Sequence, residues 1–406
     1  MLYYLNAKNT QIPLIFEENN DLPVVFLKLC FARSGKAYEG ELAGLARMFA
    51  RLLNEGCDDD FFKELDFYAI NFEANSGFEN FEINISCLKE HFEFALKKLI
   101  LLLTQPQFDE KLLQKLKTTA LGELAARNSD FDYIAKRLLN KSVFEYKEFE
   151  LSNDGDEKSI AKISLDELKN FHKHYFNLSN LIIIAGGNAT QAQIKSLLAP
   201  VLEILGVGEK RKVKKFKLCA NLKDELCVRK ESEQAYIYFA TPFELEFGDE
   251  DAYLAKLALF ILGAGGFGSR LMEEVRVKRG LAYSAYAMLD TSVSYKRVFG
   301  YLQTKNESAK EAKALVKSVF ADFVKKGVSQ NELELAQNFL IGSTPLRYES
   351  LEKRLGVSFN EFYQGLSIGH FKKELEKIAK VGLAELNSYI KKHGELEQIS
   401  FASVGK

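Results

Sequence analysis

"ISLDELKNFHKHYFNLSNLIIIAGG" at residues 163–187 lies without a gap on "VGLAELNSYIKKHGELEQISFASVG" at residues 381–405. Leu165, Glu167, Leu168, Lys173, Leu178 and Gly187 fall on Leu383, Glu385, Leu386, Lys391, Leu396 and Gly405, with Phe171 on Tyr389 and Leu181 on Ile399. In each copy the apolar residues first recur at helical spacing and then run together, the pattern of a helix feeding a strand. A fainter echo sets Leu113, Leu121 and Gly122 on Leu333, Ile341 and Gly342. The chain reads as two related halves.

The seam falls where "GVGEKRKVKKFK" breaks the apolar periodicity with two glycines and a basic run. We place one domain at 1–208, a basic linker at 209–218 and a second domain at 219–406, and expect the linker to be solvated, as blocks of like charge usually are. In both halves strands such as "LPVVFLKLCFA" and "AYIYFATPF" come first, long amphipathic helices follow and a strand closes the unit. That order favours an α+β fold over a doubly wound sheet.

Composition narrows the function. With 55 Lys and Arg against 56 Asp and Glu the formal charge is -1, so no global field draws in nucleic acid or an anionic membrane. No basic segment followed by a long apolar run opens the sequence, and no stretch of about 18 uninterrupted apolar residues follows, so a cytoplasmic protein is expected. The five cysteines, Cys30, Cys57, Cys87, Cys219 and Cys227, form no C-x-x-C pair and suggest neither a disulfide framework nor a zinc ribbon.

The glycines of "GAGGFG" at 263–268 imitate a dinucleotide loop. Such a loop follows a strand, because the phosphates sit where a central strand turns into a helix. Here Leu254, Leu257, Ala258, Ile261 and Leu262 precede it at helical spacing, so the glycines join two helices. Ser269 then caps a short helix, Gly280 ends it, and "LAYSAYAML" starts a strand. Arg276, near the helix end, and Tyr283, early in the strand, are drawn toward one region.

These residues carry a resemblance. "SRLMEEVRVKRGLAY" at 269–283 is similar to the carboxy-terminal signature of the pitrilysin and mitochondrial-processing-peptidase family of zinc peptidases, in which Arg276 and Tyr283 match a paired Arg and Tyr. "FARSGKAYEGELAGLARMFARLLNEG" at 31–56, "NFEANSGFENFEINISCLKE" at 71–90 and the internal repeat extend the likeness over nearly the whole chain. The resemblance implies two similar domains, each a mixed or antiparallel sheet packed with helices, forming half of a clamshell chamber.

Active relatives place H-x-x-E-H on the first helix, two imidazoles binding zinc and the Glu activating water. Here the positions read "RMFAR" at 47–51: Arg47 and Arg51 replace the ligands and Ala50 the base. Only the third ligand position, Glu123 in "ALGEL", keeps an acid. A guanidinium stays protonated and has no lone pair to give a metal. None of His91, His172, His174, His370 or His393 has a neighbouring histidine at ligand spacing. We therefore expect no zinc on this chain; either Glu123 pairs with an arginine, Arg51 above all, in place of the cation, or both arginines are simply solvated.

In paired forms of the family one subunit bears zinc while the other supplies the Arg and Tyr. The resemblance thus implies a non-catalytic, substrate-positioning subunit, with Arg276, Tyr283 and Glu79 on the peptide and zinc supplied by a homologous partner. Glu73, where an Asn-type residue is typical, weakens the expected grip of the 73–85 strand. Two alternatives stay open: a structural or peptide-holding homodimer without proteolysis, and an active zinc peptidase with an unconventional metal site.

Overall fold

In a computed structural model, which describes residues 1–220 and 225–406, the repeat appears as two sheets of matching topology. The second domain expected at 219–406 includes residues 221–224, which lie outside the described residues. The first sheet holds β1 (Leu2–Ala7), β2 (Thr10–Glu18), β3 (Val24–Phe31), β4 (Asn71–Ser76), β5 (Phe81–Leu88) and β6 (Leu181–Gly187) in the order β1-β2-β6-β3-β5-β4. The second holds β7 (Leu226–Arg229), β8 (Gln234–Pro242), β9 (Ala282–Thr291), β10 (Lys296–Lys305) and β11 (Ser400–Gly405) in the order β7-β11-β8-β10-β9.

The self-matching segments are the Leu165–Tyr175 helix with β6 and the Leu383–Lys392 helix with β11. Each closing strand enters in the same way: β6 is parallel to β2 and antiparallel to β3, while β11 is parallel to β7 and antiparallel to β8. Removing β1 makes the strand orders identical. In this correspondence β4 and β9 are counterparts, and both are edge strands. The fold is α+β and duplicated.

Two compact units result, and neither is a continuous stretch of chain. One comprises Met1–Ala126, Leu151–Lys214 and Arg347–Asn360; the other comprises Arg127–Glu150, Lys215–Leu346 and Glu361–Lys406. The main break lies between Lys214 and Lys215, and each unit also holds a segment from the other's stretch of sequence. The basic run is not simply solvated. Arg211 takes Asn180 Oδ1 on its backbone N–H and packs over the Tyr175 ring, because asparagine and tyrosine side chains supply the partners an extended segment lacks.

The first unit's core gathers around Phe49 on the Leu45–Leu53 helix. Its ring lies 5.8 Å from Phe81, 5.4 Å from Phe171 and 5.2 Å from Phe176, measured between centroids. Leu45, Met48, Leu52 and Leu53 complete the buried stripe expected from their spacing. Burying such side chains stabilises by about 1.5–3 kcal/mol each. The polar face of the helix is thereby fixed in orientation. Among the described residues no helix is long and apolar enough to cross a membrane.

Candidate functional site

The helix bearing "RMFAR" starts on a glycine, Gly44, whose φ of +94° suits no other residue well and whose hydrogen leaves room for the Asp154 carbonyl. Glycine brings no side-chain cap. Glu39 supplies one instead, its carboxylate accepting the Gly44 N–H at 2.8 Å and the Ala46 N–H at 2.9 Å. Burial pushes the Glu39 carboxyl up to about 7, against the opposing pull of these backbone donors and Lys36.

On the outer face, Arg51 holds Glu123 in a two-pronged contact, Nη1 to Oε1 at 3.0 Å and Nη2 to Oε2 at 2.5 Å. The Glu123 hydrogen bond raises the Arg51 guanidinium further above its ordinary value. Arg47 donates to Asn75 Oδ1 at 2.5 Å and lies 3.8 Å from Asp154 Oδ1. Ala50 between them is buried. The donor set does not fit zinc: it offers two guanidinium groups, a methyl group and a carboxylate already occupied by Arg51. Among the described residues no three His, Cys, Asp or Glu side chains are grouped to hold a metal ion.

Next to this site, the Asn54 side chain binds both polar groups of one residue of the β4 edge. Its Nδ2 donates to the Ala74 carbonyl at 2.9 Å and its Oδ1 accepts the Ala74 N–H at 2.8 Å. In an antiparallel ladder alternate residues turn their polar groups away from the neighbouring strand. Those of Ala74, available in principle to an incoming strand, are taken by Asn54. Glu73 and Asn75 flank Ala74 with exposed side chains, and Glu79 sits in the turn joining β4 to β5, its carbonyl accepting the N–H groups of Ser34 and Gly35.

In the second unit the glycine connector does what its sequence suggests. A helix over Ala252–Leu259 runs into a wider π-helical turn over Phe260–Ala264, and Ser269 caps the following helix by accepting the Met272 N–H. Gly263 has a packing role: a Cβ there would lie 2.5 Å from the backbone nitrogen of Ala287 on β9. The bare backbone allows the helix to approach the edge strand.

A second π-helical turn, Glu273–Val277, carries Arg276. Tyr283 reaches it through a bulge: Ala282 pairs with Thr304 and Ala285 with Leu302, so Tyr283 and Ser284 together face Gln303. Bulges re-aim side chains in this way. Arg276 Cζ lies 4.2 Å from the centre of the Tyr283 ring and 4.6 Å from that of Phe267. The structure thus brings Arg276 and Tyr283 together and adds Phe267. Glu79 and the 47–123 group belong to the first unit.

Neighbouring cations differ from Arg276. Arg270 is held two-pronged by Glu332, and Lys278 and Arg279 share Glu274. They line a cavity of about 760 Å³ in which every one of these charges is matched. Asn54, Asn75, Asp154, Glu39 and Phe267 were not singled out from sequence. Each acts through a partner distant in the chain or through an orientation that no spacing rule encodes.

Residues 162–340 match the family described as "Peptidase M16 inactive domain". The chain is 37% identical to a Helicobacter pylori protein named as the non-peptidase homolog YmxG, over 99% of this chain and 94% of that protein. An M16 inactive domain from Pseudomonas fluorescens has the same fold, with a TM-score of 0.90 at 24% identity over 100% of this chain and 98% of that one. A chain of complex III2 from Candida albicans matches with a TM-score of 0.79 at 15% identity, over 100% and 95% of the two chains.

Proposed function

Because the chain belongs to the M16 peptidase family as a non-catalytic member, we propose that it positions peptide substrate for a homologous subunit bearing the H-x-x-E-H zinc motif. The observation that carries this reading is the Arg276 guanidinium, packed over Tyr283 with its N–H groups free of any oxygen partner among the described residues. A donor set of this kind suits a carbonyl oxygen that gains charge during peptide-bond attack. Such donors are worth more to the transition state than to the bound peptide. Arg276 and the Tyr283 hydroxyl would hold that oxygen, while the partner's metal site would supply the nucleophile.

Mixing the chain with an H-x-x-E-H homologue from the same organism and assaying peptide cleavage tests this. Activity should require both chains, and R276A or Y283F should lower kcat by about 10²-fold. Equal cleavage with and without this chain overturns the proposal.

A second reading, a peptide-holding or structural dimer without proteolysis, draws on the Asn54 contact, which occupies part of the β4 edge. Its signature is a stable self-dimer indifferent to the zinc-bearing homologue. The remaining alternative, an unconventional metal site on this chain, lacks a suitable donor set at the matching positions and is tested by metal analysis of the purified protein.

A further inference from the structure

We infer that Phe267, Arg276 and Tyr283 form a receptor for a peptide carboxylate, in which Phe267 is the positioning residue that holds the guanidinium. The inference rests on the reading that Arg276 and Tyr283 hold peptide, and it adds a second group for them, a carboxylate that competes with the scissile carbonyl for the same donors.

Three features point to an anion rather than a neutral oxygen. Arg276 packs over two aromatic rings, at 4.2 Å and 4.6 Å from their centres, yet has no hydrogen bond or ion pair from its side chain among the described residues. Arg270, Lys278 and Arg279 nearby are each matched by a carboxylate, which leaves Arg276 as the cation without a counter-ion in this cluster. A guanidinium presents parallel N–H donors that fit the two oxygens of a carboxylate and only partly engage a single carbonyl oxygen.

Of the two rings, Phe267 stacks on no other aromatic ring among the described residues. Phe267 is 67% exposed, on a short turn between Gly266, at φ +58°, and Gly268. An apolar ring left in water forgoes the stabilisation that burial would give. Its ring meets the Arg276 guanidinium. Tyr283, 80% exposed, completes the arrangement from the β9 bulge. Aromatic cover attracts the cation to the ring faces and leaves its N–H groups for the ligand.

The test uses the full chain and three acetylated octapeptides of alternating Ala and Leu: the free acid, its C-terminal amide, and the amide with one internal Glu. Calorimetry should show the free acid, the Glu-containing amide or both binding about tenfold or more tightly than the plain amide, a preference lost in R276A. The two acidic arms distinguish a terminal from a side-chain carboxylate. F267A and F267L should each weaken carboxylate binding about three- to tenfold, and F267Y should restore it. In wild type the Arg276 Nε–H resonance should move on adding the acidic peptide and stay in place with the plain amide.

Equal affinity for acids and plain amide, with R276A weakening all of them, overturns the carboxylate assignment while leaving peptide positioning intact. Failure of every peptide to bind overturns both. Wild-type affinity in F267L overturns the role of Phe267.

Discussion

Arg47 and Arg51 lie one turn apart on the same helix, where two like charges repel unless something stands against them. Each has an oxygen partner from another element, Asn75 for the first and Glu123 for the second. The Arg51 side chain is largely buried but Glu123 is 45% exposed, and a pair open to solvent on one side contributes about 1 kcal/mol or less. Its larger consequence is chemical, since it occupies the one carboxylate left at the position. R47H/R51H should free Glu123 and place two imidazoles beside it, and metal analysis should then find about one zinc per chain. Glu39 offers a separate residue-scale test. Its folded value of about 7 lies above the ordinary 4.5 because of burial, so between these values the folded state binds a proton that the unfolded state has lost. Stability contributed by this group is therefore fully present below about 4.5 and declines as pH rises through about 7, by on the order of 3 kcal/mol. Thermal melts should show the wild type losing ground to E39Q across that window, and parallel pH profiles would contradict the assignment.

At the scale of elements, what was legible in the sequence was whatever repeats or has a period. The Leu45–Leu53 stripe, the helix-then-strand pattern at 163–187 and 381–405, and the Ser269 cap depend on neighbours in the chain, and the structure has all three. The proximity of Arg276 to Tyr283 was legible because a short helix and a glycine stop leave few residues between them. The bulge that turns Tyr283 outward was not, because it is defined by register against Gln303 on β10. The Asn54 contact was also hidden: an asparagine after a helix reads as a local cap, and only the folded sheet puts Ala74 beside it. N54A should leave the Ala74 N–H without its partner, costing about 1–3 kcal/mol. Hydrogen-exchange mass spectrometry should then show faster exchange across 72–76 with the 24–31 strand unchanged. Unaltered protection at 72–76 would mean that Asn54 does not hold the edge.

For the whole molecule, the important fact is that sequence halves and compact units do not coincide. Leu355 and Phe359, both buried, come from the Leu351–Tyr363 helix yet belong to the first unit, where Leu351 and Leu355 lie against Gly186 of β6 and Lys28 sits over the Phe359 ring. Conversely, Ala135, Leu139 and Val143 of the Phe131–Val143 helix are fully buried in the second unit, whose sheet also receives hydrogen bonds between Tyr238 and Asp132 and between Arg297 and Asn140. A self-comparison of the sequence carries no information about which sheet a connecting helix covers. The consequence is measurable by dividing the chain at Lys214. Fragment 1–214 lacks the 347–360 segment and thus loses the burial of Leu355 and Phe359, about 3–6 kcal/mol at 1.5–3 kcal/mol for each side chain. That is comparable to the whole stability of an ordinary domain. Expressed alone, 1–214 should be poorly soluble or unfold without a cooperative transition. Co-expressed with 215–406 it should be recovered as a stable one-to-one complex, because each fragment carries the helix the other's sheet requires. A separately soluble 1–214 with a sharp thermal transition would show that the exchanged helix adds little, and that the two halves fold on their own.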